Sequence, residues 1–144
     1  MKTFLRGALA VILGFVTGSC VNMGFVLLGP QVIPPPAGVD VRNAESIAAG
    51  MHLFEPKHFL FPFLAHALGT FVGALVAWFV AVKYRAGMAG VIGGLFLAGG
   101  IAAATMIPAP AWFIATDLLL AYLPMAWLAT VTGRKFRREA PSPA

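Results

Sequence analysis

Four long apolar runs constrain the fold of this chain more than any other feature. They cover residues of about 4–28, 59–82, 87–106 and 112–132. Because a helix needs about 20 apolar residues to cross roughly 30 Å of hydrocarbon, each run has the length of a transmembrane span. The runs do not alternate polar and apolar residues, as the strands of a membrane barrel do. The sequence therefore predicts an all-α protein, a bundle of four transmembrane helices that forms a single domain over residues 1–133.

The composition supports this prediction. Of the 144 residues, 60% are hydrophobic and only 10% are charged, whereas soluble domains carry roughly 25% charged residues. A soluble fold of this size cannot bury so much apolar surface. The net charge of +5 does not indicate nucleic-acid binding, because the basic residues lie beside apolar runs. We therefore expect membrane lipids as partners and no nucleic acid.

Positive charges are distributed unevenly between the two ends of the predicted helices. Lysines and arginines precede the first run, fill the turn between the second and third, and follow the fourth. Only Arg42 and Lys57 lie in the long first connection. Since cytoplasmic flanks carry the excess of positive charge, both termini are predicted to be cytoplasmic, with 134–144 as a basic cytoplasmic tail.

An alternative is N-terminal processing at Cys20, the one cysteine of the chain. Residues 17–20 loosely resemble a lipoprotein processing site and follow a basic start. The apolar run continues to about residue 28, which favours an uncleaved span.

The first connection, at about 29–58, contains three consecutive prolines that disfavour a helix. Asn43 is a suitable N-cap for a short helix in which Ile47, Met51 and Phe54 recur at helical spacing. We therefore predict a short extracytoplasmic amphipathic helix between the first two spans. It acts as a lid over the bundle or as an element that docks a partner.

Small residues form stripes on the first three predicted helices. The stripes consist of Gly7, Gly14 and Gly18, of Gly69, Gly73 and Ala77, and of Gly90, Gly94 and Ala98. Such stripes let helix backbones approach closely in lipid. They predict packing within the chain, against a second chain, or both, so we expect a homo-oligomer or association with other membrane subunits. Pro124 is predicted to kink the fourth helix.

Aromatic residues near the ends of the runs are interpreted as an interfacial belt. These residues are Phe59, Trp78, Tyr84, Trp112 and Trp127.

Apart from His66, Asp117 is the only acidic or basic side chain well inside a predicted span. A charge there costs about 3 kcal/mol on insertion scales, so it needs a reason. At about 1.5 Å per residue, Asp117, His66 and Asn22 lie at similar depths, roughly 9 to 10 Å below the outer surface. Thr70 and Ser19 lie about one turn deeper. The five residues predict a polar pocket that opens outward.

This pocket has two interpretations. In the structural one, His66 and Asp117 satisfy each other and Asn22 joins helices by hydrogen bonds. In the functional one, the pair holds a polar headgroup or couples to protons, since a carboxylate beside an imidazole stabilises the charged form of both.

A second polar group, His52, Glu55 and His58, forms an H-x-x-E-x-x-H pattern at the membrane edge. Two imidazoles and a carboxylate are suitable ligands for zinc or another divalent metal. Pro56 opposes a continuous helix through the three residues. We therefore expect no cofactor, and a divalent metal at this pattern is the alternative.

Three segments carry a resemblance to a group of small bacterial four-helix inner-membrane proteins. They are PPPAGVDV at 34–41, MHLFEPKH at 51–58 and FLAHALGT at 63–70. The resemblance covers most of the chain and implies a bacterial inner membrane. It carries no activity, substrate or site residue across.

Three function classes follow from these features. An accessory or interaction subunit of a membrane assembly is the first, because of the small-residue stripes and short loops. A small transporter or ligand-binding bundle with an outward-facing site at His66 and Asp117 is the second. A metal-dependent intramembrane enzyme that uses His52, Glu55 and His58 is the third, and a non-enzymatic role is favoured over it.

Overall fold

A computed structural model describes residues 2–139 of the chain. Within that range the protein is helical and has no β-strand. The α-helices are α1 (Lys2–Val32), α2 (Ala44–Gly50), α3 (Leu60–Val80), α4 (Arg85–Met106), α5 (Ala111–Leu120) and α6 (Leu123–Glu139). Two 3₁₀ turns, Met51–Leu53 and Pro56–Phe59, connect α2 to α3.

Four helical stretches are long and apolar enough to cross a membrane, which confirms the four predicted runs as helices. They are Thr3–Val32, Pro56–Val80, Arg85–Met106 and Ala111–Arg137. The first exceeds its predicted end, because Ile33 N–H donates to the Gly29 carbonyl at 2.8 Å and the proline run begins only at Pro34. α6 continues to Glu139, so the predicted basic tail is helical up to that residue; residues 140–144 of the tail lie outside the described range.

α3 lies at the centre of the bundle and contacts α1, α4 and α6. Its buried residues are mostly small, which allows neighbouring helices to approach closely. They are Ala65, Ala67, Gly69, Thr70, Gly73, Ala74, Ala77 and Trp78.

α1 and α3 cross where two glycines of each helix face one another. A Cβ built at Gly14 would lie 2.6 Å from the Gly73 carbonyl oxygen, and one at Gly18 would lie 2.6 Å from the Gly69 carbonyl oxygen. Backbone therefore touches backbone here, and the predicted stripes on the first two spans pack within the chain.

The stripe on α4 does not pack in this way. A Cβ at Gly90 or Gly94 would meet no atom within 4 Å, and Ala98 is exposed. α4 instead uses a different face, where a Cβ at Gly93 would lie 2.7 Å from the Ala126 Cβ.

The fourth apolar stretch is interrupted, which confirms the predicted kink at Pro124. α5 ends at Leu120 and α6 begins at Leu123. Pro124 has no N–H to donate to the Leu120 carbonyl, so the regular helical ladder cannot pass through it. The interruption leaves Tyr122 buried, with 1% of its surface exposed.

Two residues of the predicted aromatic belt are buried by the protein itself, and the position of the belt at a membrane surface stays a prediction. Tyr84, Trp112 and Trp127 are exposed, but Trp78 and Phe59 are buried. Trp78 packs against Gly133, where a Cβ would lie 2.6 Å from the indole ring. Phe59 packs against Phe113, with ring centroids 4.7 Å apart.

The two ends of the bundle differ in charge because successive apolar stretches run in opposite directions. The start of α1, the turn between α3 and α4, and the last part of α6 share one end, here called the basic end. It carries Arg6, Lys83, Arg85, Arg134, Lys135 and Arg137. The connection between α1 and α3 and the turn between α4 and α5 share the opposite end, here called the loop end.

Candidate functional site

A cavity of about 330 Å³ lies at the loop end and is here called the loop-end cavity. Its wall combines the end of α1, the first half of α3, the second half of α4, α5 and residues of the first connection. The lining is apolar except for His58, His66 and Asp117. This size and composition are typical of sites for small molecules, which pair apolar walls with a few polar groups.

The first connection forms part of the wall of this cavity. Hydrogen bonds from its own side chains stabilise its turns. Asn43 caps α2, as predicted, and its Oδ1 accepts from Glu45 N–H at 2.8 Å. Asp40 N–H donates to the Ser46 hydroxyl at 2.9 Å. Three residues that share helical spacing, Ile47, Met51 and Phe54, line the cavity. The position of α2 on a membrane surface remains a prediction.

His66 on α3 and Asp117 on α5 are in direct contact. His66 Nδ1 lies 2.9 Å from both carboxylate oxygens of Asp117. The Asp117 side chain is 6% exposed and that of His66 is 25% exposed. A buried carboxylate is stable only when paired and hydrogen-bonded, so α5 and α3 are held together at this depth.

Tyr122 completes the site and was not predicted from the sequence. Its hydroxyl donates to Asp117 Oδ2 at 2.8 Å, and its ring centroid lies 5.7 Å from that of His66. Gly100 of α4 faces this hydroxyl, and a Cβ there would fall on it. In a regular helix, residues five apart point about 140° away from each other, so Tyr122 reaches Asp117 only because the helix is interrupted.

The hydrogen bonds determine which ring nitrogen is available to a ligand. The Asp117 carboxylate accepts from both His66 and Tyr122, which places a proton on His66 Nδ1. Among the side chains of residues 3–137, none is hydrogen-bonded to His66 Nε2. That nitrogen accepts a hydrogen bond when the ring is neutral and donates one when it is protonated. His66 Nε2 thus gives the apolar cavity wall an adaptable polar atom.

The other three predicted pocket residues do not line the cavity. The Thr70 hydroxyl donates to the His66 carbonyl at 2.7 Å, within α3 itself. Asn22 packs on Gly69, where a built Cβ would lie 3.0 Å from the Asn22 Cβ. Ser19 is partly buried on α1, further toward the basic end. The structure brings only His66 and Asp117 of the five to the cavity.

The H-x-x-E-x-x-H residues are not brought together as metal ligands. Within the described part of the chain, no three His, Cys, Asp or Glu side chains form such a group. Glu55 and His58 instead cap the turn Pro56–Phe59: Glu55 N–H donates to His58 Nδ1 at 2.9 Å, and the Glu55 side chain accepts from His58 N–H. The Glu55 carboxylate also lies 3.0 Å from Lys57 Nζ. His52 is exposed.

The fold and site together define a class: an all-helical protein with four helical stretches apolar enough to cross a membrane, and an apolar cavity that contains one imidazole–carboxylate pair. Comparison of the chain with protein-family models, curated proteins and solved structures gives no match. The function is therefore inferred from the geometry of the site.

Proposed function

We propose that this chain is a multi-pass protein of a bacterial inner membrane that binds an amphiphilic small molecule in the loop-end cavity. The observation that carries the proposal is an apolar cavity with His66 and Asp117 in its wall. Large apolar side chains such as Phe4, Leu119 and Trp127 cover the outside of the helices, which suits lipid rather than water. The excess of positive charge directs the basic end to the cytoplasm and the cavity to the outer side.

The cavity suits a ligand with an apolar body and a small hydrogen-bonding group. Apolar walls favour an alkyl chain or ring, since the free energy gained is roughly 25 cal/mol per Å² of apolar surface buried. The Asp117 charge is already shared between His66 and Tyr122. A ligand hydroxyl or carbonyl therefore has His66 Nε2 as its partner.

Binding fits the structure better than transport through the chain. The cavity occupies the half of the bundle near the loop end. In the other half, Gly14 and Gly73 bring α1 and α3 into backbone contact, and Ala77, Ala89 and Ala129 are buried in one core. Close packing of this kind does not favour a polar path between these parts of the helices.

The test is mass spectrometry of lipids extracted from the protein after purification in a mild detergent. We expect one amphiphilic compound in fixed ratio to wild-type protein and its loss from Asp117→Asn. Ala104→Leu should also lose it, because Ala104 lines the cavity, whereas Ala102→Leu on the exposed face of α4 serves as the matched control. Retention of the compound by both Asp117→Asn and Ala104→Leu would contradict the proposal.

The same variants distinguish a binding role of the pair from a structural one. We expect His66→Ala and Asp117→Asn to lose the ligand and still to be purified as folded protein. Their midpoints of thermal unfolding, measured without ligand, should be lower than that of wild type, because each variant weakens the hydrogen bonds of the buried pair. Loss of folded protein in both variants, with the ligand retained by Ala104→Leu, would instead support the structural interpretation.

An accessory role is the second candidate, and the unused face of α4 favours it. A Cβ at Gly90 or Gly94 meets no atom, so another helix has room to approach. Gly94→Leu should therefore disrupt a complex with a second copy or another subunit, measured as molar mass by light scattering. Gly24→Leu, at an equally open position on α1, is the matched control. Equal molar mass for both variants and wild type would count against this role.

The third function class, a metal-dependent enzyme, stays a prediction.

A further inference from the structure

The basic end contains a second cleft, of about 780 Å³, which is distinct from the loop-end cavity. It lies where α3 ends, α4 begins and α6 ends. Its lining consists of Trp78, Val82, Tyr84, Arg85, Ala86, Gly87, Arg134 and Arg137. Three guanidinium groups thus converge on one cleft at the edge of the apolar stretches.

No carboxylate in the part of the chain whose side chains are described balances these guanidinium groups. Among residues 3–137, neither Arg85, Arg134 nor Arg137 forms an ion pair with a carboxylate. Arg137 lines the same cleft as Arg85, so the two like charges repel each other. The Arg85 Nε is buried and has no hydrogen-bond partner among the described residues. An unpaired buried donor is costly, and the rest of the Arg85 guanidinium likewise has no hydrogen-bond acceptor among the described side chains.

The backbone adds further positive charge at the same place. α4 begins at Arg85, its N-cap Tyr84 makes no side-chain capping bond, and its first turn has no acidic residue. The first helical hydrogen bond is donated by Met88 N–H to the Tyr84 carbonyl. The N–H groups of Arg85, Ala86 and Gly87 are therefore left for another acceptor, and these three residues line the cleft. A helix N-terminus with free N–H groups favours phosphate.

Packing holds the central guanidinium in place. The Arg85 guanidinium carbon lies 4.9 Å from the centroid of the Trp78 ring. Trp78 of α3 is itself buried against Gly133 of α6. An arginine that is already stacked on a fixed indole loses little further conformational entropy when it binds an anion. Its planar guanidinium group also matches the geometry of phosphate oxygens.

We propose that this cleft binds a phosphate group through Arg85, Arg134 and Arg137 and the N-terminal N–H groups of α4. Either of two sources supplies that group: the headgroup of an anionic phospholipid or a free phosphate. Val82, just after the end of α3, lines the cleft with its side chain half-exposed, and Phe79 in the last turn of α3 is also exposed. These apolar side chains give acyl chains a surface beside the cleft.

The experiment uses the full chain in detergent and three probes: phosphatidic acid, diacylglycerol with the same acyl chains, and inorganic phosphate. Binding is measured by native mass spectrometry for the lipids and by competition for inorganic phosphate. We expect phosphatidic acid to bind at least tenfold more tightly than diacylglycerol. Displacement by millimolar inorganic phosphate assigns the site to free phosphate, and resistance to it assigns the site to the lipid. Both outcomes support a phosphate site.

The variants Arg85→Gln and Arg134→Gln should each weaken binding of phosphatidic acid about tenfold to a hundredfold, as expected for the loss of a charged hydrogen bond. Arg6→Gln changes the charge equally at the same end but lies outside the cleft, and it should stay within twofold of wild type. If Arg85→Gln does not fold, Arg137→Gln takes its place, because Arg137 is exposed. Equal affinity for diacylglycerol, or wild-type affinity in the cleft variants, would overturn the proposal.

Discussion

The hydroxyl group of Tyr122 is expected to stabilise the fold of this bundle. It is one of two side chains that satisfy the buried Asp117 carboxylate. Tyr122→Phe keeps the ring and removes the donor, so Asp117 Oδ2 is left with His66 Nδ1 as its one side-chain partner among the described residues.

We expect Tyr122→Phe to lower the free energy of unfolding by about 2 kcal/mol, the range for hydrogen bonds to charged groups. The measurement is a denaturant titration in mixed micelles, with Tyr84→Phe as the control because Tyr84 is 80% exposed. An equal effect of the two substitutions would show that the Asp117–Tyr122 bond does not stabilise the fold.

At the residue scale, the sequence predicted the contact between residues that lie at the same depth on two helices. His66 and Asp117 lie at matching depths on two helices, and they are in contact. Tyr122 could not be predicted, because its contact with Asp117 depends on how far the helix turns at an interruption. The burial of Trp78 was not predicted either: its position near the end of a span suggested contact with lipid, but Gly133 has no side chain and the indole packs against it.

At the element scale, the crossing of α1 and α3 depends on the absence of side chains between them. We expect Gly73→Ala to lower the midpoint of thermal unfolding strongly, at a cost of about 1 to 3 kcal/mol for overpacking. The added Cβ would lie 2.6 Å from the Gly14 carbonyl oxygen, and backbone cannot move aside as a side chain can. Gly24→Ala is the matched control, since open space surrounds that position on α1. Equal melting of the two variants would contradict this account.

The interruption between α5 and α6 gives a second prediction for an element. Pro124→Ala restores an N–H group and lets the helix continue, which turns Tyr122 away from Asp117. We expect the ligand occupancy of the loop-end cavity to fall, and Pro108→Ala in the turn before α5 to leave it unchanged. The occupancy is read by mass spectrometry of extracted lipids, and an unchanged value in Pro124→Ala would contradict the link.

Elements were predicted well where composition alone determines them. Four apolar runs became four helical stretches, and Asn43 began α2 because its side chain accepts the free N–H groups of the first turn. The end of α1 was misplaced by four residues, because Gly29 and Pro30 suggest a break that the helix tolerates in its last turn. Which face of α4 packs was not predictable either, since Gly90, Gly93 and Gly94 are equally small.

At the scale of the whole molecule, the separation of a basic end from a loop end predicts one orientation in the membrane. In a Cys20→Ala background, Arg42→Cys should react with a membrane-impermeant maleimide in cells whose outer membrane alone has been permeabilised. Lys135→Cys should react only after the inner membrane is opened. The reverse pattern would require the cavity to face the cytoplasm.

The length of α1 has a consequence for where a ligand would be held. Its 31 residues extend about 46 Å at 1.5 Å per residue, well beyond the roughly 30 Å of a hydrocarbon core. Its last turn, with Gly29 and Pro30, forms part of the cavity wall. A helix this long tilts or projects, and the balance between the two shifts with bilayer thickness. Thin membranes would therefore lift the cavity into the headgroup layer, and thick ones would draw it down among the acyl chains.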